Sequence, residues 1–430
     1  MVLNLKQSVY IEVTNTLSLG SVSGIQRVTR EVLRTILSAD SPFNFTPVVY
    51  CKHCKCWRRL FEIEMQRLLE GDGTSFQKRS PFRRRTVNRL KLILSAGFCG
   101  RFFAKVNDYY KLLKHPPCDP TLLLREFEPG SFFLDMESGW FSDVNRHVLL
   151  PALKKNHIAS MVVQYDLLPI IHPLYFPVDT RQRFNQYFAA HLENESVFIC
   201  ISENTERDLK RHVAEKHQDR RITTERIVLG ADFAKTSPTS ERKPQILPEG
   251  KYILSVGTIE PRKNYDFLLS VYDRIIEHFP NVMLAIVGKE GWQSSGFMRR
   301  LRSHRLWNRK LFWLEGVDDY ILSSLYHNAY LGVVPSLYEG YGLPVAESLQ
   351  NGCVTLSSNG GSLPEVGGDY VDYFDPQNEE ELVRLITEYL YNEEKYLTQK
   401  KKISTYLPPT WRQTGMQLLT ILEKHSTPLS

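Results

Sequence analysis

Short apolar runs alternate with stretches of helical spacing along this chain, in two series separated by a polar segment that holds three prolines. That alternation constrains the fold more than any other feature. In the first series, residues 9–13 (VYIEV), 45–50, 131–135 (SFFLD), 157–164 (HIASMVVQ) and 196–201 (SVFICI) read as strands, with a shorter one over 226–229. Between them, Ile25, Val28, Val32, Leu33 and Ile36 recur at helical spacing and predict a helix over 25–37. Further helices are expected over 180–192 and from about Asn204, where Ser202 is placed to cap. Residues 14–24, with Gly20 and Gly24, read as a turn-rich loop that sets helix N–H groups beside an anion site. The second series predicts strands over 252–256, 282–287, 311–314, 331–334 and 354–357, with a helix over 265–279. Such alternation implies parallel sheets covered on both faces. Two series in 430 residues imply two doubly wound α/β domains, over 1–235 and 251–408, with a linker over 236–250. Ligands of such sheets bind at the carboxyl ends of the strands, so a cleft between the domains is the expected site.

Charge is unevenly spread. The formal net charge is +6, but residues 51–115 hold 16 Lys and Arg against 5 Asp and Glu, a local +11, which leaves −5 for the rest. This marks a basic insertion over about 51–120 in the first domain. No run approaches the roughly 18–20 apolar residues that span a bilayer. The first residues lack a signal-peptide pattern. Seven cysteines, an odd number in a long chain, read as reduced thiols. A cytoplasmic location is expected.

Two stretches of the second series carry chemistry. Residues 335–352, PSLYEGYGLPVAESLQNG, follow a strand. Gly340 and Gly342 allow a tight loop, Pro344 suits a helix start, and Asn351–Gly352 suits its end. Loop and helix start aim N–H groups at an anion or an oxygen-rich ligand. Glu339 and Glu347 lie eight positions apart without sequence neighbours to pair with, placed to reach different parts of one ligand. A glycine-rich turn with two solvated glutamates is the alternative. Residues 255–264, SVGTIEPRKN, place Arg262 and Lys263 at the expected start of a helix, where two cations suit a diphosphate. An exposed basic pair is the alternative.

The run EGYGLPVAE resembles the signature of family 4 retaining glycosyltransferases, as do GTIEPRKN, VGKEGW and SLPEVGGDYVDYFDP around it, in the same order. The resemblance is dense from Tyr252 to roughly Tyr406 and weaker at SGIQRV, VVQYDLLPIIHPLYFP, ISENTERDL and ERIVLGAD. It is similar to bacterial mannosyltransferases that build O-antigen and capsular polysaccharide. The resemblance implies a GT-B architecture, two Rossmann-like domains facing a cleft, with the first on the acceptor side and a terminal helix over 409–430 crossing back to it. By resemblance Glu347 holds the nucleotide ribose hydroxyls. Glu339 lies near the donor sugar. The N–H groups of Gly340, Tyr341, Gly342 and Leu343 contact sugar or phosphate. Arg262 and Lys263 grip the diphosphate, with Gly257 and Thr258 beside them. Gly24 lets the first loop approach that diphosphate, and Asp166 matches an aspartate position near the acceptor. The family often has His at the place of Tyr165, so a histidine contact to the sugar is in doubt there.

The implied activity is transfer of a hexose, mannose favoured, from a nucleotide-diphosphate sugar to a growing, lipid-linked surface polysaccharide. GDP-mannose is the favoured donor; UDP or dTDP sugars, or a nucleotide-sugar epimerase of related fold, are alternatives. Negative charge builds on the leaving diphosphate, and stabilising it is the main catalytic need. The chain has no Asp-x-Asp pair of the kind metal-dependent transferases use, so no cofactor and no metal is expected, with Arg262, Lys263 and helix N-termini meeting the charge. No carboxylate clearly fills a nucleophile's role, so same-face attack, with the donor phosphate drawing the acceptor proton, fits retention.

Other constellations are read more plainly. Cys51, His53, Cys54 and Cys56 offer zinc-type atoms, but no second knuckle follows, and reduced thiols at a strand end are the simpler reading. Trp292 and Trp411 read as packing residues. Between Phe82 and Leu113, basic residues such as Arg83, Arg84 and Arg85 interleave with Leu90, Ile93, Phe98 and Phe102. This pattern reads as docking on an anionic membrane surface, with an ordinary solvated helix pair as the alternative. No nucleic-acid motif accompanies the charge, and no nucleic-acid partner is expected.

Overall fold

The structure, a computed structural model, describes residues 6–18, 24–51, 55–70, 123–124, 127–233 and 247–426. The basic residues between 83 and 114, His53 and Cys54, Gly20 and most of the expected linker lie outside the described residues.

Two sheets organise the chain. The first contains β1 (Gln7–Glu12), β2 (Phe43–Cys51), β3 (Cys56–Arg59), β4 (Leu123–Leu124), β5 (Phe132–Asp135), β6 (Ala159–Gln164), β7 (Val197–Cys200) and β8 (Thr223–Arg226). Their spatial order is β4-β3-β2-β1-β5-β6-β7-β8. Strands β3 and β4 pair antiparallel at one edge, and the others run parallel. The second contains β9 (Tyr252–Val256), β10 (Met283–Val287), β11 (Leu311–Leu314), β12 (Leu331–Val334), β13 (Thr355–Ser358) and β14 (Asp372–Phe374). Its order is β11-β10-β9-β12-β13-β14, all parallel. Two doubly wound α/β sheets are therefore present. Helices cover both faces, which is why Met283–Val287 is buried at every position and reads as an unbroken apolar run. In each sheet the strand order reverses once, between β1 and β5 and between β9 and β12. The loops leaving those strands flank the crevice where such sheets bind ligands.

The last helix, Trp411–His425, packs on the Gly24–Ser38 helix of the first sheet. A Cβ on Gly415 would lie 2.4 Å from Thr35 Cγ2, so the close approach depends on glycine. Leu418, Leu419 and Leu422 are buried with Val28, Val32 and Ile36 in one core. A capping box starts the helix: Thr410 accepts from the Gln413 N–H and the Gln413 side chain accepts from the Thr410 N–H.

Three local readings need correction. The strand expected over 226–229 is Thr223–Arg226 instead. Residues just beyond it give their N–H groups elsewhere: Val228 to Gln417 Oε1, Gly230 to Thr414 Oγ1 and Ala231 to the Pro409 carbonyl. Their apolar character serves packing on the terminal helix. Residues 14–24 are not all turn; Thr14–Ser18 is a short helix, whose Asn15 and Thr16 N–H groups are accepted by the buried Glu137 carboxylate. Arg262 and Lys263 do not open a helix. They form a 3-10 turn, Pro261–Lys263, and Asn264 at φ 58° separates it from the helix Tyr265–His278.

Candidate active site

The sequence-predicted residues of the second domain converge at the β9/β12 reversal. The turn after β9 delivers Glu260, Arg262 and Lys263; the loop after β12 delivers Ser336 and Glu339. The Leu337 N–H donates to the Arg262 carbonyl at 2.7 Å and locks the two loops together. Glu339, 6% exposed, is the centre. One oxygen accepts from Arg262 Nη1 at 2.5 Å; the other accepts from Lys263 Nζ and from Ser336 Oγ at 2.6 Å. Arg262 Nε also lies 2.6 Å from Glu260 Oε1. Burial pushes the Glu339 carboxyl up, but the charges of Arg262 and Lys263 and the bonds from Lys263 and Ser336 outweigh it and hold it at about 2. The reading that Glu339 has no sequence neighbour to pair with is corrected by Ser336, three residues before it. Its two cations come from the Glu260–Lys263 turn, which no local spacing links to it.

Glu347 is likewise paired. It sits on the helix Leu343–Gln350, which Gly342 opens at φ 112° without a side-chain cap. A Cβ on Gly342 would lie 2.8 Å from Leu363 Cδ2. Glu347 Oε2 accepts from Tyr326 Oη at 3.1 Å, and Oε1 accepts from Arg27 Nη1 at 2.5 Å. Arg27 comes from the first domain, on the Gly24–Ser38 helix. Burial raises the Glu347 carboxyl, and the Arg27 charge only partly offsets this. Gly24 opens the same helix; a Cβ there would lie 3.8 Å from Leu343 Cδ1.

The first domain meets this site through Tyr165 and Asp166, just beyond β6. A Cβ on Gly340 would lie 2.1 Å from the Tyr165 carbonyl oxygen and 2.9 Å from Asp166 Cβ, so only glycine fits. The Gly340 carbonyl accepts from Ser202 Oγ at 2.7 Å and from Thr205 Oγ1 at 3.1 Å. Burial raises Asp166 to about 6, against the pull of Arg262 and the Leu168 N–H, with Glu339 and Glu260 adding to the rise. Tyr341 places its side chain in the core of the first domain. It is buried with Leu229 and Trp411 in the first core and donates its hydroxyl to the Leu229 carbonyl at 2.7 Å. Tyr165 is also a packing residue, with its hydroxyl on the Met136 carbonyl at 2.7 Å. Trp292 donates Nε1 to the Tyr175 carbonyl at 2.7 Å across the cleft. Gly257 and Thr258 lie on the turn after β9, Gly257 with Lys263 Cε 3.4 Å from its virtual Cβ.

Sequence reading missed Arg27, Tyr326, Glu260 and Ser336. Glu260 and Ser336 carried a signal, being two and three residues from Arg262 and Glu339. Arg27 and Tyr326 carried none beyond a polar position on a helix. Among the described residues no group of three or more His, Cys, Asp or Glu is placed to hold a metal ion, and no helix is long and apolar enough to cross a membrane.

Residues 237–405 match the model described as glycosyl transferases group 1. The serotype-specific mannosyltransferase WbdA of Escherichia coli is 26% identical over 267 residues, 60% of this chain and 32% of that protein. The O-antigen chain mannosyltransferase B of Escherichia coli is 29% identical over 221 residues, 50% of this chain and 56% of that protein. The aligned region thus spans about a third of one relative and about half of the other. Among solved structures, sucrose-phosphate synthase from Thermosynechococcus elongatus superposes with a TM-score of 0.61 at 16% identity, covering 97% of this chain and 98% of that one. Anabaena Alr3699/HepE, solved with UDP and glucose, gives 0.61 at 13% identity, covering 97% and 99%. Residues 237–405 are a glycosyltransferase group 1 domain, set in a chain with the two-sheet GT-B fold.

Proposed function

We propose that this chain is a retaining hexosyltransferase, mannose favoured, that uses a nucleotide-diphosphate sugar to extend a lipid-linked surface glycan. One observation carries the reading: Arg262 and Lys263 converge on the Glu339 carboxylate at the strand-order reversal, with Glu347 on the next helix. Mannose and the glycan acceptor rest on the names of the E. coli relatives.

In this reading the donor diphosphate enters beside Arg262 and Lys263, and its oxygens share the two cations with Glu339. As the glycosidic bond breaks, negative charge grows on the leaving phosphate. Two fixed cations in a buried setting stabilise that charge without reorganising. Ser336 and Lys263 hold Glu339 near the donor sugar, and Glu347 accepts from the ribose hydroxyls. Asp166 faces the sugar from the acceptor side. The acceptor attacks the same face, its proton passing to the donor phosphate. Arg262 and Lys263 supply the charge that a metal supplies in other transferases, so the reaction is metal-independent. The enzyme works at the cytoplasmic face of the plasma membrane, docked by the basic insertion, with no nucleic-acid partner.

The test is donor screening by thermal shift with GDP, UDP and dTDP sugars, then product mass spectrometry with a mannan-type acceptor. GDP-mannose is expected to stabilise most and to give a product longer by one hexose. Stabilisation by UDP or dTDP sugars alone overturns the donor assignment, and donor conversion without an acceptor points to an epimerase. Sedimentation with anionic liposomes tests docking: reversing Arg83, Arg84 and Arg85 should release the protein, and equal binding removes the idea.

A further inference from the structure

The residues on either side of Glu339 are held by the first domain. Tyr338, just before it, donates its hydroxyl to Asp208 Oδ2 and accepts from Asn204 Nδ2 at 2.8 Å. Gly340, just after it, accepts the Ser202 and Thr205 hydroxyls at its carbonyl. All four partners belong to the cap or the first two turns of one helix, Glu203–Lys216. The second domain fastens that helix in return: Glu365 accepts from the Glu203 N–H at 2.8 Å and the Asn204 N–H at 3.1 Å, at the end where a helix favours a carboxylate. Asp208 and Asn204 are 4% and 5% exposed. Burial and the bond to Asp208 push the Tyr338 hydroxyl up to about 12, so it keeps the proton it donates. At its other end, the Tyr338 carbonyl accepts from Arg262 Nη1 at 3.3 Å. The ring between packs so close to Gly361 that a Cβ there would lie 2.8 Å from Tyr338 Cδ1.

We propose that Tyr338 is a positioning residue: its hydroxyl, anchored on Asp208 of the first domain, holds Glu339 and Arg262 in the arrangement that transfer requires. The proposal rests on the donor-side role of Glu339 and Arg262 given above. Glu339 lies on an irregular loop between β12 and the helix Leu343–Gln350. Ser362 Oγ fixes the Glu339 carbonyl at 2.9 Å from within the second domain. Tyr338 adds an anchor on the opposite domain, one residue away. Charged groups stabilise a growing charge best when they are already in place, and a small misplacement of them costs much of the rate. Tyr338 acts through Glu339 and Arg262. Losing its hydroxyl therefore slows the bound complex more than it weakens donor binding.

The experiment measures hexose transfer from GDP-mannose, with UDP-glucose as a second donor, by wild type, Tyr338→Phe, Asp208→Asn, Asp208→Leu, Glu339→Gln and Trp292→Phe. Trp292→Phe removes one hydrogen bond between the domains, as Tyr338→Phe does, but that bond involves neither the Glu339 loop nor Asp208. Tyr338→Phe is expected to lower kcat at least fivefold while KM for the donor stays within twofold, and Asp208→Leu should match it. Asp208→Asn, which keeps an acceptor oxygen for the hydroxyl, should stay within twofold of wild type, as should Trp292→Phe. Combining Tyr338→Phe with Asp208→Leu should cost no more than either alone. Tyr338→Phe keeps the ring and guards against a folding failure in Asp208→Leu. A kcat within twofold of wild type in Tyr338→Phe, or equal losses in Tyr338→Phe and Trp292→Phe, while Glu339→Gln is impaired, overturns the positioning role alone. If wild type transfers from neither donor, or Glu339→Gln matches wild type, the donor-side reading falls and the positioning role with it.

Discussion

Each sheet carries a buried ion cluster where its strand order reverses, and the two clusters are built with different balance. In the first domain Arg146 bonds Asp135 Oδ2 at 2.7 Å and also Glu12, joining the ends of β5 and β1. Glu12, Asp135, Glu137 and His191 are all at most 1% exposed. Burial pushes His191 toward its neutral form, which leaves Arg146 as the cation among three acids. Burial raises Asp135, yet Arg146 and His191 overcome it and hold that carboxyl below its usual value. In the second domain Arg262 and Lys263 meet two acids, Glu339 and Glu260, and the side chains of the cations keep 17% and 10% exposure. The same position in the two sheets is thus a sealed clamp of one cation among three acids in one and a partly exposed set of two cations and two acids in the other. A fixed position within a doubly wound sheet does not decide the balance or the exposure of the charges placed there.

The contrast breaks first at Arg146. Arg146→Met leaves Glu12 and Asp135 buried without their cation, and losing one partner of such a pair costs about 3–5 kcal/mol. A urea midpoint near wild type contradicts the clamp. The second test is pH. The folded Glu339 carboxyl gives up its proton more easily than the unfolded one, so its ionisation favours folding. That gain is complete above the ordinary value near 4.5 and is lost as pH falls toward about 2. It amounts to something on the order of 3 kcal/mol. The stability gap between wild type and Glu339→Gln should therefore narrow as pH drops below 4.5. A gap that stays constant in urea titrations between pH 7 and pH 3 contradicts the strong pairing. A smaller effect sits between the domains. Tyr341→Phe removes the bond to the Leu229 carbonyl and should cost about 1 kcal/mol, read as a modest fall in melting temperature; no change places that bond outside the stability of the interface.

The sequence makes the second sheet more legible than the first, for a physical reason. Tyr252–Val256, Leu311–Leu314 and Leu331–Val334 are short apolar strands whose bounds match the sequence reading. The Ser202 cap, accepting from the Thr205 N–H at 3.0 Å, was also readable. The ion clusters were not. Glu12 and Asp135 belong to the runs VYIEV and SFFLD, and their shared Arg146 lies on a different segment. Arg27 and Glu347 are 320 positions apart, and no periodicity joins them. The segment after Arg226 misled because apolar residues packing on a helix look like those packing in a sheet.

The central claim is that Lys263 and Glu347 act on a nucleotide-sugar donor. Steady-state transfer with wild type, Lys263→Ala, Glu347→Ala and the remote surface control Arg274→Ala tests it most directly. Both site variants should lose at least tenfold in kcat/KM, about 1.4 kcal/mol of transition-state stabilisation or more. Arg274, whose ion pair with Glu380 lies on the surface, should change little. Near wild-type kinetics in Lys263→Ala and Glu347→Ala would contradict the account.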